Sequence, residues 1–160
     1  MMIRPATEGD VEAITRLFFE TVTNVNAKDY DETQIRAWST SAQDQERWLS
    51  RINTQHFWVA EAGKELQGFA SLTREGYLDV FFVGKDFQGQ GVGKKLLTAL
   101  EKMAGTSAIP RIESDVSITA KAFFEKHGYQ VVREQKVIFR EVEFTNYRVI
   151  KESKRQDNRL

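Results

Sequence analysis

Val83-Gly84-Lys85-Asp86-Phe87-Gln88-Gly89-Gln90-Gly91-Val92-Gly93-Lys94-Lys95-Leu96-Leu97 is the stretch on which the fold turns. Before it lies the apolar run Leu78-Asp79-Val80-Phe81-Phe82-Val83, short and β-branched or aromatic, which reads as a strand. After the glycines, Val92, Leu96, Leu97, Leu100 and Met103 recur at helical spacing, so the sequence predicts a helix over 92–104 with Gly105 as its stop. A further strand is predicted over 111–116. A strand, a helix and a strand in one sheet require a crossover, which places Val80 and Ile112 on parallel strands.

The rest of the chain reads outward from that unit. Residues 3–6 form a short strand, and Thr7 caps a helix carrying Val11, Ile14, Leu17, Phe18 and Val22. Residues 30–38 and 43–52 read as shorter helices. Strands over 56–60, 66–73 and 77–83, joined by glycine turns, make an antiparallel meander. A helix over 118–127 stops at Gly128, and strands over 129–138 and 143–150 follow. The fold class is α/β, α+β mixed: a central mixed sheet of about seven strands flanked by about four helices. One domain covers 1–151, and 152–160 is a polar C-terminal tail.

Composition limits the function. At 160 residues the chain suits one domain with a sizeable core. Lys and Arg total 23 against 23 Asp and Glu, so no global basic excess exists for a nucleic-acid backbone. With no cysteine there is no thiol nucleophile, zinc–thiolate site or disulfide. The sequence has no apolar membrane span and no signal-peptide core, which makes a cytoplasmic protein the expectation.

Two nucleotide motifs fail at the glycines. In G-x-G-x-x-G, started at Gly89, the third glycine falls at Lys94. In a P-loop ending at Gly93-Lys94, the first glycine falls at Gln88 and the hydroxyl at Lys95. Two readings remain. One is a tight turn with solvated lysines. The other is an anion site, because a helix start offers unpaired N–H groups and its dipole disfavours Lys94 and Lys95 unless an anion binds.

The same residues resemble the GNAT superfamily of acetyl-CoA-dependent N-acetyltransferases. Gln88, Gly91 and Gly93 match its [RQ]-x-x-G-x-[GA] signature, between a strand ending in Val83 and a helix with Leu96-Leu97. Ile3-Arg4-Pro5-Ala6 with Gly9-Asp10, and Ala122-Phe123-Phe124-Glu125-Lys126-His127-Gly128-Tyr129, resemble two further family segments. The resemblance spans about residues 2–151. It implies acetyl-CoA as co-substrate and a primary amine as acceptor. It also implies a bulge that splays two parallel strands. Backbone N–H groups of Gln88, Gly89, Gln90, Gly91, Val92, Gly93 and Lys94 would hold the pyrophosphate. Phe81, Phe82 and Val83 would pair with the pantetheine arm, and an N–H near Phe82 or Val83 would polarise the thioester carbonyl.

The chain departs from that family's acid–base residues. Phe124 stands where a tyrosine acid is usual, Ser117 where a cofactor-contacting asparagine is usual, and Tyr77 where a glutamate is usual. Asp79 shares Tyr77's face and reads either as a general base raised by burial or as an aspartate paired with a neighbouring Arg or Lys. Tyr77 and Tyr129 are the further catalytic candidates, with His127 and His56 weaker. Tyr30, Trp38 and Asn146 are candidates for the acceptor site, each with a packing role as the alternative. Direct transfer in a ternary complex fits a chain without cysteine. Competing readings are an acyl-CoA-binding module without turnover and a nucleotide-binding protein of another type. No metal, nucleic-acid or membrane partner is expected, and a homodimer is left open.

Overall fold

The computed structural model describes residues 1–153. A seven-stranded sheet runs in the order β1-β2-β3-β4-β5-β7-β6. Its strands are β1 (Met2–Pro5), β2 (His56–Ala62), β3 (Glu65–Leu72), β4 (Tyr77–Val83), β5 (Arg111–Ser117), β6 (Gln130–Phe139) and β7 (Val142–Glu152). Among the described residues only β4 and β5 pair in parallel, as the crossover requires. Five α-helices among the described residues flank the sheet, one more than the expected four: α1 (Val11–Asn24), α2 (Glu32–Ser39), α3 (Gln45–Thr54), α4 (Val92–Thr106) and α5 (Lys121–Lys126). β7 takes in Glu152, the first residue of the segment read as a tail, and 154–160 lie outside the described residues.

Each sheet face buries its own core. On one face Leu96, Leu97 and Leu100 of α4 pack with Leu78, Ile112, Phe124 and Val149. On the other, Ile14, Phe18 and Val22 of α1 and Trp48 of α3 pack on Phe57, Phe69 and Val80. Burying each such side chain contributes about 1.5–3 kcal/mol. The helix starts are capped locally. Asp31 and Gln34 form a reciprocal capping box on α2. Thr7 opens a single 3-10 turn (Glu8–Asp10) rather than α1 itself, and Asp10 becomes the α1 N-cap. The Asp10 carboxylate is fixed by the Thr7 N–H and by Arg4, which also pairs with Glu61.

Gly105 does not stop α4. The helix runs to Thr106, and Ala108 takes the left-handed conformation (φ +56°). The Ile109 N–H reaches back to the Ala104 carbonyl and the Ala108 N–H to that of Gly105, the bond pattern of a Schellman close. Burial of Ile109 holds that close in place, so packing overrides the glycine signal. At the end of α5 the signal does hold: Gly128 has φ +90°, and the Tyr129 N–H returns to the Phe124 carbonyl.

Gly68 of β3 sets how closely α4 approaches the sheet. A Cβ there would lie 2.9 Å from the Phe82 carbonyl oxygen and 3.1 Å from both Val92 and Leu96. Gly68→Ala is therefore expected to destabilise the fold by about 1–3 kcal/mol through overpacking. Denaturant unfolding of the two proteins measures this directly.

Candidate active site

The site begins where β4 and β5 part. Their ladder holds only Tyr77 opposite Glu113 and Leu78 opposite Ser114. At the last pair the buried Ser114 hydroxyl donates to the Leu78 carbonyl (2.7 Å), which satisfies a backbone acceptor that the parting strand would leave alone. On the opposite edge of β4, Ser71 pairs with Val80 and Leu72 with Leu78, so Asp79 is an unmatched bulge residue. The bulge reverses the facing of the strand. Leu78 packs with the α4 core, yet Val80, two residues on, packs with the α1 core.

Beyond the bulge, β4 bonds to β3 alone. The Gly84 N–H donates to the Gln67 carbonyl, which fixes the alternation. Phe82 thus turns its N–H and C=O to Phe69 of β3, while Phe81 and Val83 present theirs to the fork. This corrects the expected backbone role of Phe82, whose ring instead enters the cleft. The Val83 carbonyl takes the Gln88 side-chain amide (2.6 Å). From there the chain turns through Gly89 and Gly91 into α4. Gly91, at φ +85°, is the N-cap, a conformation that disfavours any side chain there. Among the described residues, no acceptor in the chain meets the backbone N–H groups from Gln88 through Lys94. No acidic residue occupies the first turn of α4, and Lys94 lines the cleft.

Fork and glycine turn open on one cleft of about 710 Å³. Its walls include Tyr77, Asp79, the β4 end, Ser117, Phe124 and the tip of the β6–β7 hairpin. Asp79 lies there as a paired aspartate. Its Oδ2 accepts from Arg51 Nε and Gln55 Nε2, each at 2.9 Å, and Arg51 stacks over Trp48. Its Oδ1 has no donor among the described residues.

Asp115, one residue past the last ladder pair, gathers a network that the sequence reading missed. It accepts from Tyr77 Oη (2.8 Å), Gln135 Nε2 (2.7 Å), and Arg148 through Nε (2.7 Å) and Nη2 (2.9 Å). Burial alone would raise the Asp115 carboxyl, but the bonds from Arg148, Tyr77 and Gln135 hold it below its ordinary value. Burial, and then the bond to Asp115, push the Tyr77 hydroxyl well above the ordinary tyrosine value. Tyr77 is therefore a protonated donor at neutral pH. The only sequence signal for this network was polar alternation in β5, with Glu113, Asp115 and Ser117 on one face.

The acceptor candidates are fixed by neighbours. Tyr30 Oη accepts from the Ile118 N–H and donates to the Thr145 carbonyl, tying the α1–α2 connection to β5 and β7. Trp38 packs edge-on against Tyr30 and faces Phe82 and Phe144. Asn146 Oδ1 accepts from Gln135, and Ser117 Oγ accepts from the Ala120 N–H. Phe124 is buried between Phe81 and Tyr129. Tyr129 is a correction: it sits behind Phe124, 3% exposed, outside the cleft lining, because the Gly128 turn folds it into the core. His127 does line the cleft, its Nδ1 bonded to the Phe123 carbonyl, whereas His56 does not. Among the described residues no helix is long and apolar enough to cross a membrane, and no cluster of three His, Asp or Glu could hold a metal.

With this geometry in hand, the comparisons are consistent with one another. A family model described as an acetyltransferase (GNAT) domain matches residues 26–151. The chain is 34% identical over 147 residues to an uncharacterized N-acetyltransferase, YafP, of Escherichia coli K12, covering 92% of this chain and 93% of that protein. A solved GCN5-related N-acetyltransferase from Rhodopseudomonas palustris superposes with a TM-score of 0.91 at 30% identity, over 94% of each chain. The PaiA N-acetyltransferase of Thermoplasma acidophilum, solved in complex with coenzyme A, shares the fold at 21% identity and a TM-score of 0.79, over 94% of this chain and 98% of that one.

Asp115→Asn tests the network. It removes the closer of the two carboxylates paired with Arg148 and leaves the 3.4 Å contact to Glu113, and we expect a loss of about 1–2 kcal/mol at neutral pH, below the value for a fully buried pair because both groups are partly exposed. The Asp115 carboxyl is depressed in the fold, so its contribution is full above about pH 4 and is lost as pH falls through the folded value. The stability gap between the two proteins should accordingly close on acidification, as read by urea unfolding at a series of pH values.

Proposed function

The chain belongs to the GNAT family of acetyltransferases, and on that premise we propose that it transfers an acetyl group from acetyl-CoA to a primary amine by direct transfer in a ternary complex. One observation carries the reading: the free edge of β4 at Phe81 and Val83 leads straight into the acceptor-free N–H groups from Gln88 through Lys94. A diphosphate suits that helix start, where backbone donors and the positive dipole end converge and Lys94 adds charge. An extended amide-bearing arm suits the β4 edge, as an added strand would.

The residues divide the work of transfer. When bound, acetyl-CoA supplies the activated acetyl carbon. The Phe81 and Val83 N–H groups are aimed into the fork, where a donor to the thioester oxygen acts on charge that develops during the reaction. The amine nitrogen bonds to the acetyl carbon, the C–S bond breaks, and the nitrogen's proton must leave. Asp79 Oδ1 is the free carboxylate oxygen beside the fork and is assigned to take it. Tyr77, kept protonated, offers its hydroxyl oxygen to orient the amine. Phe124 has no proton to give the departing thiolate, so that proton comes through solvent.

A second reading is favoured by the same residues. Both fork carboxylates are ion-paired, and Phe124 is apolar, as a sensor of acyl-CoA without turnover would allow. Free-thiol release from acetyl-CoA separates the two, since transfer predicts amine-dependent release and sensing predicts none. Asp79→Asn is expected to lower kcat at least tenfold. An unchanged kcat would remove Asp79 as the proton acceptor. Coenzyme A at a hundredfold excess over its Kd should stabilise the fold by about 2.7 kcal/mol. ATP and NAD should give no such shift.

A further inference from the structure

The acceptor end of the cleft has a charge pattern of its own. Asp79 and Asp115, the carboxylates nearest the fork, are each neutralised by a guanidinium. Asp44 is drawn to the start of α3, where it accepts from the Arg47 N–H. Arg47 and Arg140, from α3 and the β6–β7 turn, line the same cleft. Neither guanidinium meets a carboxylate or carbonyl among the described residues. Asn26, between α1 and α2, also lines it. Asn26 is 5% exposed, yet its side-chain amide has no hydrogen-bond partner among the described residues. The amide is nonetheless not among the fully buried polar groups left unpaired, because its hydrogen-bonding atoms are reachable from the cleft.

Arg140 adds a second, independent observation. Phe139 pairs with Val142, so Arg140 and Glu141 form a two-residue hairpin turn with φ of +50° and +67°. Such turns favour Asn and Gly, and a side chain with positive φ is strained. The strained position carries a guanidinium over the Phe139 ring, 5.2 Å from its centre, in the lining of the cleft.

We infer that the acceptor is a small primary amine that also bears an anionic group, held by Arg47, Arg140 and the Asn26 amide while the amine reaches Asp79. Guanidinium forks match carboxylate or phosphate oxygens, and the amide supplies a further donor. A polyamine or lysine-rich acceptor would instead meet two guanidiniums without carboxylate partners, against two donor-free carboxylate oxygens in the lining, Asp79 Oδ1 and Asp44 Oδ2. This inference rests on the acetyl-transfer reading and narrows its substrate class.

The test compares four amines of similar length in the free-thiol assay: butylamine, putrescine, 4-aminobutanoate and 3-aminopropyl phosphate. The inference predicts kcat/KM for one or both anionic amines at least tenfold above butylamine, with putrescine lowest. The better of the two tells carboxylate from phosphate. Arg47→Gln and Arg140→Gly should each shrink that preference at least fivefold through KM. Arg140→Gly also relieves the turn, so its melting temperature should hold or rise, which separates lost recognition from lost folding. Equal rates across the panel, a preference for putrescine, or an unaltered preference in both variants would overturn the inference and leave acetyl transfer standing. Thiol release with none of the four amines would remove it, and amine-independent binding of coenzyme A would then favour the sensing reading.

Discussion

The Ser114 hydroxyl, donating to the Leu78 carbonyl, marks the last place where β4 and β5 hold together. An unsatisfied buried carbonyl costs about 1–3 kcal/mol, so without such a donor the parting of the strands would be penalised at the point where it starts. The bulge at Asp79 acts on the other edge of the same strand. It adds one residue against β3, bends β4 away, and reverses which core each later residue enters. The cleft, the free β4 edge and the aim of its N–H groups all follow from this pair of features.

The fork also explains the placement of charge. Residues turned out of the ladder at a strand split lose backbone partners, and polar side chains there need others. Asp79 finds Arg51 of α3 and Gln55 at its C-cap, and Asp115 finds Arg148 and Gln135 across β7 and β6. Each pair links elements that are distant in sequence. Both Asp115 oxygens are used in these bonds, whereas Asp79 Oδ1 and the Tyr77 hydroxyl oxygen remain available at the cleft, fixed in place before any ligand binds.

Local signals in the sequence carried the parts of the fold that depend on local physics. The meander came from alternation and glycine turns, the parallel pair from the strand–helix–strand order, and the helix start with its acceptor-free N–H groups from the glycines before Lys94. What escaped depended on strand order. β7 lies between β5 and β6, and nothing in the chain from 111 to 152 announces that insertion, so Arg148 could not be placed beside Asp115. Tyr129 looked available for chemistry until the Gly128 turn put it behind Phe124. Gly105 looked like a helix end until burial of Ile109 moved the left-handed residue to Ala108. Phe82 shared a motif with Phe81 and Val83, but only the register showed its backbone committed to β3.

Amide hydrogen exchange at single-residue resolution, with and without coenzyme A, tests the central claim most directly. The Phe82 amide, bonded to β3, should exchange slowly in both states. The Phe81 and Val83 amides should exchange faster in the free protein and become protected on binding, together with those from Gln88 through Lys94. Saturating coenzyme A that protects the glycine turn while leaving Phe81 and Val83 unchanged would contradict the assignment of the β4 edge.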